Sequence, residues 1–181
     1  MSKQKIQKST SDAYFALTIA TLALIINFWA WSLLSPLGAK LASELTLTPV
    51  TLSLLLAVPV IVGSLGRIGL GMLTDKFGGR TMFAVISLLT AIPVFALTFA
   101  GSYSQYIITA IFLGFGGAAF VIGIPFVSAW FPPERRGFVL GVYSMGNAGT
   151  ALSGFATPRL AESFSRDATF IIVACLLILV S

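Results

Sequence analysis

The chain has 181 residues, 57% of them hydrophobic and only 9% charged, with a mean hydropathy of +0.98; an ordinary soluble domain carries roughly 25% charged residues. A water-soluble fold could not hide that much apolar surface, so the composition excludes one and points to the lipid bilayer as solvent. The net charge of +5 does not point to nucleic acid, because the basic residues are scattered over tails and short turns instead of gathering on one face.

Histidine is absent and Cys175 is the only cysteine, so neither a disulfide framework nor a cysteine/histidine metal site is expected, and no cofactor is implied. Residues 1–13 form a polar tail carrying Lys3, Lys5 and Lys8. A basic tail before an apolar stretch can mimic a signal peptide, but the run at 16–34 is long enough to span. Further apolar runs follow at 50–73, 82–100, 106–130 and 138–157, each approaching the roughly 20 residues that cross about 30 Å of hydrocarbon. A sixth run, 168–181, is too short as it stands and is expected to be truncated. Residues 14–181 thus read as one all-α transmembrane bundle of six helices.

Orientation follows from the turns. With the N-terminus inside, one side carries Lys3, Lys5, Lys8, Lys76, Arg80, Arg135 and Arg136, and the other carries Lys40, Arg159 and Arg166. That bias predicts a cytoplasmic N-terminus in a multi-pass cell (inner) membrane protein. Trp29, Trp31 and Trp130 fall near the ends of the runs, where interfacial anchoring is expected.

Arg67, in Gly63-Ser64-Leu65-Gly66-Arg67-Ile68-Gly69, stands about eight positions before Asp75, or roughly 12 Å inside the cytoplasmic end. A mid-span arginine costs roughly 2.5 to 3.5 kcal/mol on the insertion scale, so it should face a wet cavity or a partner. No acidic residue lies within these spans to pair with it. A permanently charged planar fork of donors suits a small planar oxyanion. The small residues Gly114, Gly116, Gly117, Gly141, Gly146 and Gly149 suit close helix approach, with Asn147 the polar contact among them.

The turn after this span reads Gly71-Met72-Leu73-Thr74-Asp75-Lys76-Phe77-Gly78-Gly79-Arg80. Its pattern G-x-L-x-D-x-x-G-x-R resembles the signature between helices two and three of the major facilitator superfamily. That resemblance implies a twelve-helix carrier of two six-helix bundles, of which this chain would be the N-terminal one and lack the C-terminal bundle. It also implies that Asp75 and Arg80 latch the cytoplasmic side in one state, with Glu134 in the next cytoplasmic turn as a partner for Arg80.

A narrower resemblance is to the nitrate/nitrite porters of that superfamily. It is carried by Gly66-Arg67-Ile68, by Gly114-Phe115-Gly116-Gly117-Ala118-Ala119-Phe120, and by Phe131-Pro132-Pro133 followed by Gly137. It implies that Arg67 holds the anion and that Phe120 lies against it. The chain departs from the porter pattern at Ala119, where many members carry asparagine, and in the shorter glycine run of 141–147; both leave other small anions, such as a carboxylate or cyanate, open as cargo. Because the five complete spans hold no Asp, Glu or His, anion exchange is expected, or proton coupling through residues elsewhere. No nucleophile, base and orienting group can be collected, so an enzyme is not expected. The rival of another class is a helical membrane sensor or assembly subunit, for which Ser181 would be a genuine terminus.

Overall fold

The computed structural model describes residues 10–181; Lys3, Lys5 and Lys8 of the expected charge bias lie outside them. The described residues are almost all helical. Helix α1 (Thr10–Trp31) continues through a short 3₁₀ turn into α2 (Gly38–Glu44). Helix α3 covers Pro49–Phe77 and α4 covers Gly79–Ala96. Helices α5 (Tyr103–Gly114) and α6 (Ala119–Ser128) are joined by a 3₁₀ turn at Phe115–Ala118, and α7 (Pro133–Ser144) and α8 (Ala148–Ser163) by one at Met145–Asn147. Helix α9 is Arg166–Leu179. Four stretches, Thr10–Glu44, Pro49–Phe77, Gly79–Phe99 and Tyr103–Ser128, are long and apolar enough to cross a membrane.

The boundaries have local causes. Helix α3 opens on Pro49, whose missing N–H costs nothing in the first turn, while the Thr48 hydroxyl accepts from the Thr51 N–H at 3.3 Å. It ends on Gly78, which at φ 84° takes the left-handed step that glycine makes without strain. Helix α4 begins at the next residue, so the reversal occupies one position. The decapeptide around Asp75 is therefore not a loop: Asp75 and Lys76 sit in the last turns of α3 and Arg80 in the first turn of α4. A glycine stop needs no linker. Helix α7 likewise starts with Pro133 in its first turn, and α9 starts with the Ser165 hydroxyl accepting from the Ala168 N–H at 3.0 Å.

Without a hydrophobic drive between helices in lipid, close approach depends on small residues. Helices α3 and α5 touch backbone to backbone: a Cβ on Gly63 would lie 2.8 Å from the Gly114 carbonyl oxygen, and one on Gly114 would lie 2.6 Å from the Val62 Cβ. A Cβ on Gly146 would lie 2.6 Å from the Leu24 side chain and one on Gly149 would lie 2.1 Å from the Ile25 carbonyl oxygen, so these glycines seat the start of α8 on α1. Gly141 has nothing within 4 Å among the described residues, so it takes no part in this packing.

Two apolar clusters fill the bundle, one around Leu33, Leu55, Tyr106 and Phe170, the other around Leu24, Phe83, Ile122 and Tyr143. The helix ends gather at opposite poles. At one, Arg166 pairs with Glu44, and the Tyr103 hydroxyl donates to the Thr51 carbonyl at 3.1 Å. At the other, Asp12, Arg80, Trp130 and Ser181 line one cleft of about 390 Å³.

The tryptophans correct the interfacial expectation. Trp29 is buried and donates from Nε1 to the Thr157 hydroxyl at 2.9 Å, and Trp31 donates to the Pro59 carbonyl at 3.0 Å. The first apolar stretch runs on to Glu44, which puts both indoles inside it, where an N–H needs an internal partner. Only Trp130 stands at a pole. From the α3–α5 contact, Gly114→Leu in the full-length protein should lower the unfolding temperature in detergent by several degrees, an overpacking cost of roughly 1–3 kcal/mol. Gly101→Ala, in open space, should leave it unchanged in the same thermal scan.

Candidate anion site

Arg67 lies ten residues before the end of α3 at Phe77, about 15 Å along the helix axis. Apart from Arg159 of α8, every other charge among the described residues lies in the first or last turn of a helix or in the short α2. The carboxylates Asp12, Asp75, Glu134, Glu162 and Asp167 all occupy first or last turns, and Glu44 closes α2. The ion pairs among the described residues are those of Arg166 with Glu44 and with Asp167. No carboxylate therefore compensates the Arg67 guanidinium.

The guanidinium is half-buried. Its Nη2 donates to the Gly117 carbonyl at 3.4 Å, a long bond, and its Nε is buried with no protein acceptor. A charged donor out of water without a partner is costly, so the arrangement suits a ligand that brings acceptor oxygens in the guanidinium plane.

Gly117 belongs to the 3₁₀ turn between α5 and α6. The Trp31 ring presses on it so closely that a Cβ there would fall 2.7 Å from the indole. Because Trp31 also binds the Pro59 carbonyl of α3, it fixes the spacing between the arginine's helix and the turn that accepts its hydrogen bond. A mid-helix 3₁₀ segment often marks a functional hinge, and here one carries the arginine's only hydrogen-bond partner among the described residues.

Phe120 stands three residues beyond Gly117 and is half-buried. It stacks on Tyr143 of α7, ring centroids 5.8 Å apart at 23°. The structure thus joins Arg67, Gly117 and Phe120 through one short stretch of chain. Asn147 is exposed, and its Nδ2 donates to the Ser144 carbonyl at the end of α7 at 2.8 Å; it forms no hydrogen bond to Arg67. Asp75, Arg80 and Glu134 are exposed and form no ion pair with one another among the described residues. Sequence reasoning missed the tie between Tyr143 and Phe120 and misplaced Trp31. The signal for Trp31 was its place only three residues after the buried Phe28, on which it packs edge-on at 5.2 Å.

Comparison with known proteins shows the family. Residues 20–181 match the model of the Major Facilitator Superfamily. The chain is 46% identical over 164 residues to the "Probable nitrate/nitrite transporter NarK2" of Mycobacterium tuberculosis, covering 89% of the chain and 42% of that protein. It is 38% identical over 159 residues to the "Probable nitrate/nitrite antiporter NarK1" of Thermus thermophilus (88% and 36%). It is 40% identical over 156 residues to the "Nitrite extrusion protein" of Bacillus subtilis (86% and 40%). The chain spans about two fifths of the length of these curated relatives. Their names are those of transporters, not enzymes.

Proposed function

The chain belongs to the Major Facilitator Superfamily, and from that premise we propose that it forms the N-terminal six-span bundle of a carrier that moves nitrate or nitrite by alternating access. The observation that carries this reading is the uncompensated guanidinium of Arg67, deep in α3 with a buried, unpartnered Nε. Nitrate and nitrite are small planar oxyanions, and two oxygens can meet a guanidinium edge in parallel hydrogen bonds. Phe120 closes one side of that site, and Asn147 adds a polar contact once the site is assembled.

The cover of α3 supports a two-bundle carrier. Only 17% of its most apolar window is buried, against half or more in the other three long stretches. A helix with an inward-costing charge and so little cover is suited to line a cavity shared with a second bundle. Asp75 in the last turn of α3, Arg80 in the first turn of α4 and Glu134 in the first turn of α7 would serve as the latch that opens and closes on the cytoplasmic side.

Exchange follows from electrostatics. With no carboxylate at mid-span among the described residues, the bound anion itself would neutralise Arg67, and the empty cavity would close over a bare charge only at a cost. Loaded carriers therefore reorient faster than empty ones. Proteoliposomes of the full-length protein should take up nitrate against internal nitrite; uptake driven only by a pH gradient would overturn exchange.

Arg67→Lys keeps the charge and loses the fork, and should weaken anion affinity by about tenfold or more, some 1.4 kcal/mol; unchanged affinity would contradict the assigned site. Competition of labelled nitrate uptake by nitrite, formate and cyanate identifies the cargo: nitrite should compete best, and stronger inhibition by formate would favour a carboxylate carrier. For the cytoplasmic N-terminus, a Cys175→Ser background with Ser102→Cys should react with an impermeant maleimide in intact cells, and one with Glu134→Cys should not.

A further inference from the structure

Tyr143 is fully buried, so it cannot itself touch a ligand. Its ring stack and its hydroxyl both lead to the residues of the proposed anion site. The ring stacks on Phe120, and the hydroxyl donates to the Ala119 carbonyl at 3.0 Å and the Phe120 carbonyl at 3.2 Å. Those two carbonyls open α6, immediately after the 3₁₀ turn whose Gly117 oxygen accepts from Arg67. Phe83 of α4 closes on Tyr143 edge-on at 6.5 Å and 82°, so the ring has little freedom.

Gly123 completes the fit. A Cβ there would lie 2.1 Å from both Cζ and the hydroxyl oxygen of Tyr143. Only glycine lets the ring lie flat against α6. Tyr143 is also the penultimate residue of α7, two before the second 3₁₀ turn at Met145–Asn147. One side chain therefore ties together the 3₁₀ breaks between α5 and α6 and between α7 and α8.

We propose that Tyr143 is a positioning residue that sets the location of Phe120 and of the helix break beneath Arg67, and thereby the carrier's affinity and its discrimination between anions. This rests on the reading of Arg67 and Phe120 as the anion site. The stack fixes the Phe120 ring, which has no hydrogen bond of its own to do so, and the hydroxyl pins the backbone that carries it. A displacement of about 1 Å in such a supporting element can cost up to about a hundredfold.

The test uses the full-length carrier in proteoliposomes, with nitrate, nitrite and formate as probes. Tyr143→Phe retains the stack and loses the two carbonyl contacts; Tyr143→Leu loses both. Tyr143→Phe should raise the KM for nitrate about threefold to tenfold with a smaller change in maximal rate, and Tyr143→Leu should also shift the nitrate-to-formate preference, consistent with a misplaced site. Gly123→Ala displaces the same ring without altering it and should reproduce the KM effect. The Gly123→Ala, Tyr143→Leu double variant should be no worse than Tyr143→Leu alone, because both act through one ring. Gly123→Ala also supplies the test if Tyr143 variants do not accumulate.

Wild-type KM and anion preference in folded Tyr143→Leu, or in Gly123→Ala, with only the unfolding temperature lowered, would overturn the proposal and leave Tyr143 a packing residue. Arg67→Lys in the same assay separates the two ideas. Loss of affinity there with none in the Tyr143 and Gly123 variants sinks the positioning role alone. No loss in Arg67→Lys sinks the site itself.

Discussion

A guanidinium without a carboxylate, held deep in an apolar helix, is the constraint around which this bundle is arranged. Arg67 has one long hydrogen bond to the Gly117 carbonyl and a buried Nε with none. Its position is too deep for a side chain to reach the surface comfortably. That unsatisfied charge is what supports the proposal that Arg67 lines a wet cavity and accepts an anion. The break in the fourth helical stretch follows from the same need, because the turn at Phe115–Ala118 presents a carbonyl to the arginine.

Small residues make that geometry attainable. The α3–α5 contact, with Gly63 against the Gly114 carbonyl, draws the arginine's helix to within reach of the turn. Trp31 sets the remaining distance, since its indole fills the space over Gly117 while its N–H is held by the Pro59 carbonyl. On the far side, Tyr143 and Gly123 hold Phe120 in the same manner. Each side of the site thus has one glycine that admits an aromatic ring and one ring that carries a hydrogen bond across helices. The Arg166–Glu44 pair at the opposite pole keeps the ends of α2 and α9 together, away from the site.

Much of this was legible in the residues, and the exceptions have physical causes. The helices were readable because long apolar runs in lipid must satisfy their own backbone groups, and Arg67 was readable because no acid accompanies it. The sharp reversal at Gly78-Gly79 was legible as glycine, but its economy was not: a one-residue stop keeps Asp75 helical. Apolar helices in a bilayer show little contrast between lipid-facing and bundle-facing sides. For that reason Trp29 and Trp31 resembled interfacial anchors until their N–H partners on other helices were seen, and Gly141 looked like a packing glycine although nothing approaches it. Glycine does not interrupt hydropathy, so the 3₁₀ turns were invisible as breaks. Tyr143 was hidden for a related reason: its partner lies in another span, and sequence spacing carries no sign of that pairing.

Calorimetric titration of nitrate into the purified full-length carrier and its Arg67→Gln variant tests the central claim most directly. Glutamine keeps hydrogen-bonding capacity and removes the charge. Saturable nitrate binding by the wild-type protein that is lost in the variant, with both folded to the same extent, is the result predicted here. Equal binding by the two would mean that the anion is held elsewhere and that Arg67 is a structural charge.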